Sequence, residues 1–369
     1  NPDFQPTFKI KRWIGFLGFI ACFGVMFKLD MIAMLGALAV IAGLYIWLQR
    51  QEVQLQSNDV WQSVWENVVN KGLKKIDAKV DEHSNWNPNI ILFSGESTHQ
   101  SYLLELGKTV SGRTGIVTNF KLILDKDNSK PPLRKIEQIV RDDIFTDLGI
   151  FARQIKVDNI YSGITNIATT FGFSGVDPNT IMMGWPKGLE SSAEYSKMTE
   201  TLLHLDYNLL YLDFDREAKF GNYHTVDLWW RETDSKNAEM MLNIARFIIA
   251  SPRWNNTNIR VLFVNNNNVD KDIIHSKIYK LVEDLRVNVE IVIINNAVEQ
   301  KPFYDLIKQQ SSNTDLTLVG IPNYKIEKQA EFVLKTNHLF KTIGSTLLVK
   351  AANNFNVLDL DFTKYKNKV

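Results

Sequence analysis

Ile259-Arg260-Val261-Leu262-Phe263-Val264, the helical stretch Asp272–Leu285 and then Val289-Glu290-Ile291-Val292-Ile293-Ile294 decide the fold. Each apolar run is continuous rather than alternating, as expected of a strand covered on both faces. A helix of more than ten residues between two strands lets the second lie parallel to the first. The unit is therefore strand–helix–strand, and the class is α/β.

Outward from that unit the same alternation continues. Downstream lie a helix at Pro302–Gln310, a strand at Leu316–Val319, a helix at Glu327–Thr342 and a strand at Thr346–Lys350, with Asn356–Leu360 as an edge strand. Just upstream, Thr225–Trp230 reads as a strand and Asn237–Ala250 as a helix. Beyond a polar joint at Asp215–Asn222 the pattern has already run once. Its strands are Ile90–Phe93, Gly115–Leu124, Phe151–Val157, Thr180–Met183 and Asn208–Phe214. Its helices are His99–Val110, Leu133–Leu148, Tyr161–Gly172 and Ala193–Leu205. We expect two α/β halves with mostly parallel sheets, at 85–215 and 216–369.

The first 84 residues have a different character. Trp13–Phe27 and Met31–Leu48 carry no charge and are separated by Lys28-Leu29-Asp30. About 17–25 helical residues span a bilayer core, so 13–48 reads as a transmembrane hairpin after a short lead-in at 1–12. Lys9, Lys11 and Arg12 before it and Arg50 after it put both ends in the cytosol. Gly15, Gly18, Gly24, Gly36 and Gly43 suit close packing against other helices. Residues 49–84 form a connector. Within it, Asn58–Val80 is an amphipathic helix with Val60, Val64 and Val68 at i, i+4 spacing and Lys71, Lys74, Lys75 and Lys79 near its end. The chain starts at Asn1-Pro2, and the expectation is a piece of a longer protein.

Composition removes several function classes. Lys plus Arg (42) and Asp plus Glu (41) almost cancel, so nothing draws the chain to nucleic acid. A single cysteine, Cys22, allows no internal disulfide and agrees with a cytosolic α/β domain. Neither a Walker loop, a dinucleotide G-x-G-x-x-G nor a G-x-S-x-G elbow is present. The six histidines have no metal-ligand spacing. Asp213 and Asp215 flank Phe214 at a strand end, where a solvated pair is the plainer reading. The expectation is a protein that is not an enzyme and carries no metal or cofactor.

Two strand-to-helix loops come nearest to anion cradles: Ser94-Gly95-Glu96-Ser97-Thr98 and Gly184-Trp185-Pro186-Lys187-Gly188. Gly95, Ser97, Thr98, Gly184 and Gly188 are the nucleotide-contact candidates, although both loops have an ordinary composition. Adjacent Trp229 and Trp230 face opposite sides of a strand; one packs under helices, leaving the other for a partner surface or the membrane interface. Trp61, Trp65, Trp229 and Trp230 are the candidate dimer or membrane contacts.

Several blocks carry a resemblance. Asn1-Pro2-Asp3-Phe4-Gln5-Pro6-Thr7-Phe8 with Trp13 and Leu17-Gly18, Pro178-Asn179-Thr180-Ile181-Met182-Met183-Gly184-Trp185, Val226-Asp227-Leu228-Trp229-Trp230 and Ile259–Val264 occur in one order. Together they resemble the C-terminal part of the cation-chloride cotransporters, in the amino acid-polyamine-organocation superfamily. The resemblance implies the last two transmembrane helices followed by a cytosolic domain of two universal-stress-protein-like halves. It implies a role in regulation and homodimerisation of a cell-membrane symporter moving Na+ and/or K+ with Cl-. Its partners would be the lipid bilayer and the transporter's own N-terminal transmembrane domain. The ion sites lie on earlier helices, so no ion ligand is carried over. Asn295–Asp315 is short where eukaryotic members hold a charged insertion. The stress-protein nucleotide motif is half present, in Gly320-Ile321-Pro322-Asn323 and Gly344-Ser345, and the ligand that this part of the resemblance implies is ATP. An amino-acid permease, a membrane-anchored nucleotide sensor and a tethered enzyme are the alternative readings.

Overall fold

The computed structural model describes residues 12–29, 31–50, 60–77, 86–95, 101–124, 148–172, 176–186, 192–231, 235–285, 287–323 and 329–355. The chain divides into two compact units, Asn1–Asp81 and Glu82–Val369.

The first unit holds α1 (Arg12–Leu29), α2 (Met31–Arg50) and α3 (Val60–Asp77). Counting described residues alone, no helix is long and apolar enough to cross a membrane. Large apolar side chains on α1 and α2 stand open, among them Phe16, Ile32 and Ile41. On α3 the expected stripe is also exposed at Val64, Trp65, Val68 and Val69, and Lys74 and Lys75 lie in the last turn.

The second unit is built on one ten-stranded sheet. Its strands are β1 (Ile90–Ser94), β2 (Val117–Leu124), β3 (Phe151–Val157), β4 (Thr180–Gly184), β5 (Asn208–Asp213), β6 (Thr225–Arg231), β7 (Asn258–Asn265), β8 (Glu290–Asn295), β9 (Leu316–Gly320) and β10 (Thr346–Lys350). Between them run α4 (Ser101–Ser111), α5 (Ile160–Thr170), α6 (Ser192–His204), α7 (Ser235–Ile249), α8 (Lys271–Leu285), α9 (Phe303–Ser311) and α10 (Gln329–Phe340). The ten strands match the sequence reading closely; the edge strand expected at Asn356–Leu360 and most of the helix expected at Leu133–Leu148 lie outside the described residues.

Strand order is β3-β2-β1-β4-β5-β10-β9-β6-β7-β8. Read outward from the middle, β5-β4-β1-β2-β3 and β10-β9-β6-β7-β8 are the same arrangement twice. All pairs are parallel except β5–β10, which is antiparallel with Leu212 opposite Leu347 and Leu210 opposite Val349. Two copies of one half related by a two-fold axis through their edge strands must meet antiparallel.

Continuous apolar strands divide their side chains between two cores. Ile90, Leu92 and Trp230 face one layer with α4, α7 and α8. Ile91, Phe93 and Trp229 face the other with α5, α6, α9 and α10. Trp229 and Trp230 are each only 1% exposed. This corrects their assignment as partner or membrane contacts: β6 is an interior strand with helices over both faces, so neither indole reaches a surface.

The duplication extends to single residues. Asn179, just before β4, accepts the backbone N–H of Asn89, just before β1, at 3.1 Å. Asp315, just before β9, accepts the backbone N–H of His224, just before β6, at 2.7 Å. At the far ends of the same strands, Trp185 N donates to Leu212 O at 2.9 Å and Ile321 N donates to Val349 O at 2.8 Å. Asn208 Oδ1 accepts from Ala352 N at 2.9 Å, and Ser345 Oγ accepts from Asp215 N at 3.1 Å. These last two contacts clamp the halves together across both ends of the β5–β10 pair.

Asp315 also accepts from the backbone N–H groups of Asn222 and Thr225. Gly221, at φ +49°, brings its backbone so close that a Cβ would collide with the Asp315 carboxylate. Replacing an acceptor leaves donors to be satisfied by water or not at all, which costs about 1–3 kcal/mol. We expect Asn179→Ala and Asp315→Ala each to lower stability in urea unfolding, Asp315→Ala more because it serves three backbone donors. Their effects should add, since they act in separate halves; a double variant no worse than Asp315→Ala would contradict this.

Candidate functional site

A densely connected buried polar side chain in the second unit belongs to the Asp-Leu-Trp-Trp block. Asp227 has no exposed side-chain surface. Arg260, one strand over on β7, grips it through Nε to Oδ1 at 2.8 Å and a terminal nitrogen to Oδ2 at 2.7 Å. Ser311 Oγ and Thr314 Oγ1, at the end of α9, donate to Oδ2 at 2.5 and 2.6 Å. Trp229 Nε1 donates to the same Ser311 Oγ at 2.9 Å. The Asp227 carboxylate holds Arg260 above its ordinary pKa. The arrangement ties β6, β7 and the α9 turn into one piece. With no exposed surface and both oxygens held by neighbouring side chains, the carboxylate serves as a structural lock.

Two open spaces stand out among the described residues. A groove of about 900 Å³ runs between α4 and α7, joining the two halves on one face of the sheet. Lys108, Arg113, Arg246 and Arg253 line it with Glu105. Glu105 pairs with Arg253 and raises its pKa, chiefly by hydrogen bonding. On the other face, a smaller cavity of about 270 Å³ lies beneath α6, against β5, the end of β10 and Ile321-Pro322 after β9. Tyr195, Thr199, Glu200, Tyr211 and Lys350 are among its walls. Burial pushes the Tyr211 phenol above its ordinary pKa, so it stays a neutral hydroxyl, within 3.3 Å of Thr199 Oγ1.

Two of the nucleotide-loop candidates, Gly95 and Gly184, come side by side at the C-terminal ends of the neighbouring parallel strands β1 and β4, where Phe93 pairs with Met183. Gly95 follows β1 and Gly184 closes β4, while Ser97, Thr98 and Gly188 lie outside the described residues. Trp65 is exposed on α3. Trp61 lies on the same helix, with its side chain outside the described set. Asp215 is a turn cap, accepting the backbone N–H groups of Glu217 and Ala218, and Asp213 is buried at the end of β5. Among the described residues no group of three His, Cys, Asp or Glu could hold a metal ion. Sequence reading missed Asn89, Asn208 and Asp315, and met Ser345 only as part of a nucleotide motif. The signal was present: Asn179 is followed at the fifth position by Gly184-Trp185-Pro186, and Asp315 by Gly320-Ile321-Pro322.

No protein-family model matches the chain. Among curated proteins it matches potassium/chloride cotransporter 3 of Caenorhabditis elegans, 21% identical over 316 residues. Over most of its length the chain is thus similar to a cation-chloride cotransporter. The match takes in 80% of this chain and 29% of that cotransporter, so the chain spans less than a third of its relative's length. Among solved structures it resembles the cytoplasmic domain of a prokaryotic cation chloride cotransporter. That likeness has a TM-score of 0.52 and 14% identity, and covers 72% of this chain and 95% of that one. A universal stress protein from Archaeoglobus fulgidus DSM 4304 aligns at TM-score 0.45 and 14% identity, covering 73% and 98%, too loosely to carry an argument. The likeness to the cotransporter domain establishes the fold, a mixed α/β unit on a mostly parallel sheet.

Proposed function

We propose that this chain is the C-terminal regulatory and dimerising part of a cation-chloride cotransporter-like symporter, moving Na+ and/or K+ with Cl- through helices outside it. One observation carries the reading: the sequence match to a cotransporter runs over four-fifths of the chain and is joined by a fold match to a cotransporter's cytoplasmic domain. On this reading the α/β unit lies in the cytosol, works without a cofactor and catalyses no reaction. Its two halves are the universal-stress-protein-like units that the sequence resemblance implies, a view supported by the strand order that occurs twice.

We also propose that α1 and α2 sit in the cell membrane beside the transporter's other helices. The described side chains alone do not amount to a span, but the whole sequence of α2 does. Its 20 residues reach about 30 Å at 1.5 Å per residue, and its only charge is the final Arg50. The open apolar side chains of both helices would be costly in water and suit lipid. The exposed Val64, Trp65 and Val68 face of α3 supports a second copy of the chain as partner, which sedimentation of the detergent-solubilised protein tests: a monomer at all concentrations removes the dimer.

The function is tested by rubidium uptake into proteoliposomes holding the whole transporter, with chloride present or replaced by gluconate. Uptake that needs chloride is expected. Uptake indifferent to chloride overturns the symport reading in favour of an amino-acid permease or another carrier.

A further inference from the structure

The internal duplication supplies a reference occupant for the cavity beneath α6. After β4, Trp185 packs against the opposite half: its ring meets Phe332 and Phe340 edge-on at 6.2 and 5.8 Å, and its Nε1–H donates to Asn337 Oδ1 at 2.7 Å. All three partners belong to α10. In the other half the equivalent position after β9 is Ile321, and the helix it faces is α6. The two helices align residue by residue: Ala193-Glu194-Tyr195, Thr199 and Leu202-Leu203 on α6 correspond to Ala330-Glu331-Phe332, Thr336 and Leu339-Phe340 on α10.

In that alignment Tyr195, Leu203 and Glu200 stand where Phe332, Phe340 and Asn337 hold the Trp185 indole. All three, together with Ile321, line the 270 Å³ cavity. The slot therefore keeps its aromatic and apolar walls and a carbonyl-type acceptor, while the side chain that fills its mate is replaced by a smaller one. A cavity of about 150 Å³ already takes a benzene ring, so a space of about 270 Å³ suits a bicyclic one.

We propose that the cavity beneath α6 binds a small planar heteroaromatic molecule bearing a ring N–H, of the indole class. Tyr195 and Leu203 would enclose its ring, and Glu200, near the mouth and 3.9 Å from His204, would accept its N–H. Because Tyr211 and Lys350 bring β5 and β10 to the same cavity, a bound molecule touches both halves across their seam. Binding there gives the unit a ligand-sensing role that stands or falls separately from the transport reading.

The test is titration of indole, and of benzofuran, in which oxygen replaces the ring N–H, into the full chain in detergent, followed by ligand-observed NMR. Wild type should bind indole, and more tightly than benzofuran. Ile321→Trp should abolish binding at indole concentrations that saturate wild type. Glu200→Ala should weaken indole at least tenfold and leave benzofuran unchanged; as a change at the exposed mouth, it decides the matter if the larger side chain at 321 prevents folding. No binding of indole at millimolar concentration, or binding undiminished in the folded variants, overturns the proposal.

Discussion

Arg260→Met should destabilise the α/β unit more than Asp227→Ala, although both break the same ion pair. Removing Arg260 leaves the Asp227 carboxylate with no exposed surface and no cation, held only by two hydroxyls. Breaking a buried pair from one side costs about 3–5 kcal/mol, because the remaining charge stays uncompensated. Removing Asp227 instead leaves Arg260, whose side chain is 27% exposed and can turn to water. The loss then comes mainly from the stranded Ser311 and Thr314 hydroxyls and falls near the lower end of that range. At about 2–4 °C per kcal/mol for a domain of this order, Arg260→Met should lower the melting temperature by roughly 10 °C. Equal losses for the two variants would mean that the asymmetry of burial does not govern the pair.

Trp229→Ala should cost about 3–5 kcal/mol, as removal of a buried tryptophan does. Three contributions disappear together: the buried ring, its edge-on contact with Phe303 at 5.6 Å, and the hydrogen bond that orients Ser311 toward Asp227. Because Ser311 is shared, Trp229→Ala and Asp227→Ala should not be additive. The exposed Trp65 on α3 provides the contrast: Trp65→Ala should change stability by less than about 0.5 kcal/mol. Urea unfolding with sedimentation on each variant separates the roles. A Trp229→Ala protein that keeps its stability but loses self-association would restore that indole as a partner contact.

Those two side chains also show how far the sequence could be read. Val226-Asp227-Leu228-Trp229-Trp230 is recognisable as a strand, and the opposite facing of its two tryptophans follows from the two-residue period of a strand. That both are covered does not follow, because coverage depends on helices from distant parts of the chain. The α9 turn that supplies Ser311 and Thr314 lies more than 80 residues away, and nothing in local periodicity brings it to Asp227. The candidate loops fared similarly: Gly184 was noticed for phosphate-loop chemistry, whereas the telling residue was its neighbour Trp185, meaningful only beside Ile321.

By itself the sequence determined the α/β class, the ten strands of the described sheet and most of the helices between them, the run of the pattern in two rounds and the resemblance to cotransporters. These are written in local period and in ordered motifs, which are properties of short segments. Only the tertiary structure decided that β5 and β10 join the halves antiparallel into one sheet, that Asn179 and Asp315 play the same part in each half, and that a cavity opens under α6. Each of these depends on which distant strands become neighbours and in what register. That choice is made by the packing of whole faces and by the two-fold relation of the halves, and no window of sequence contains either.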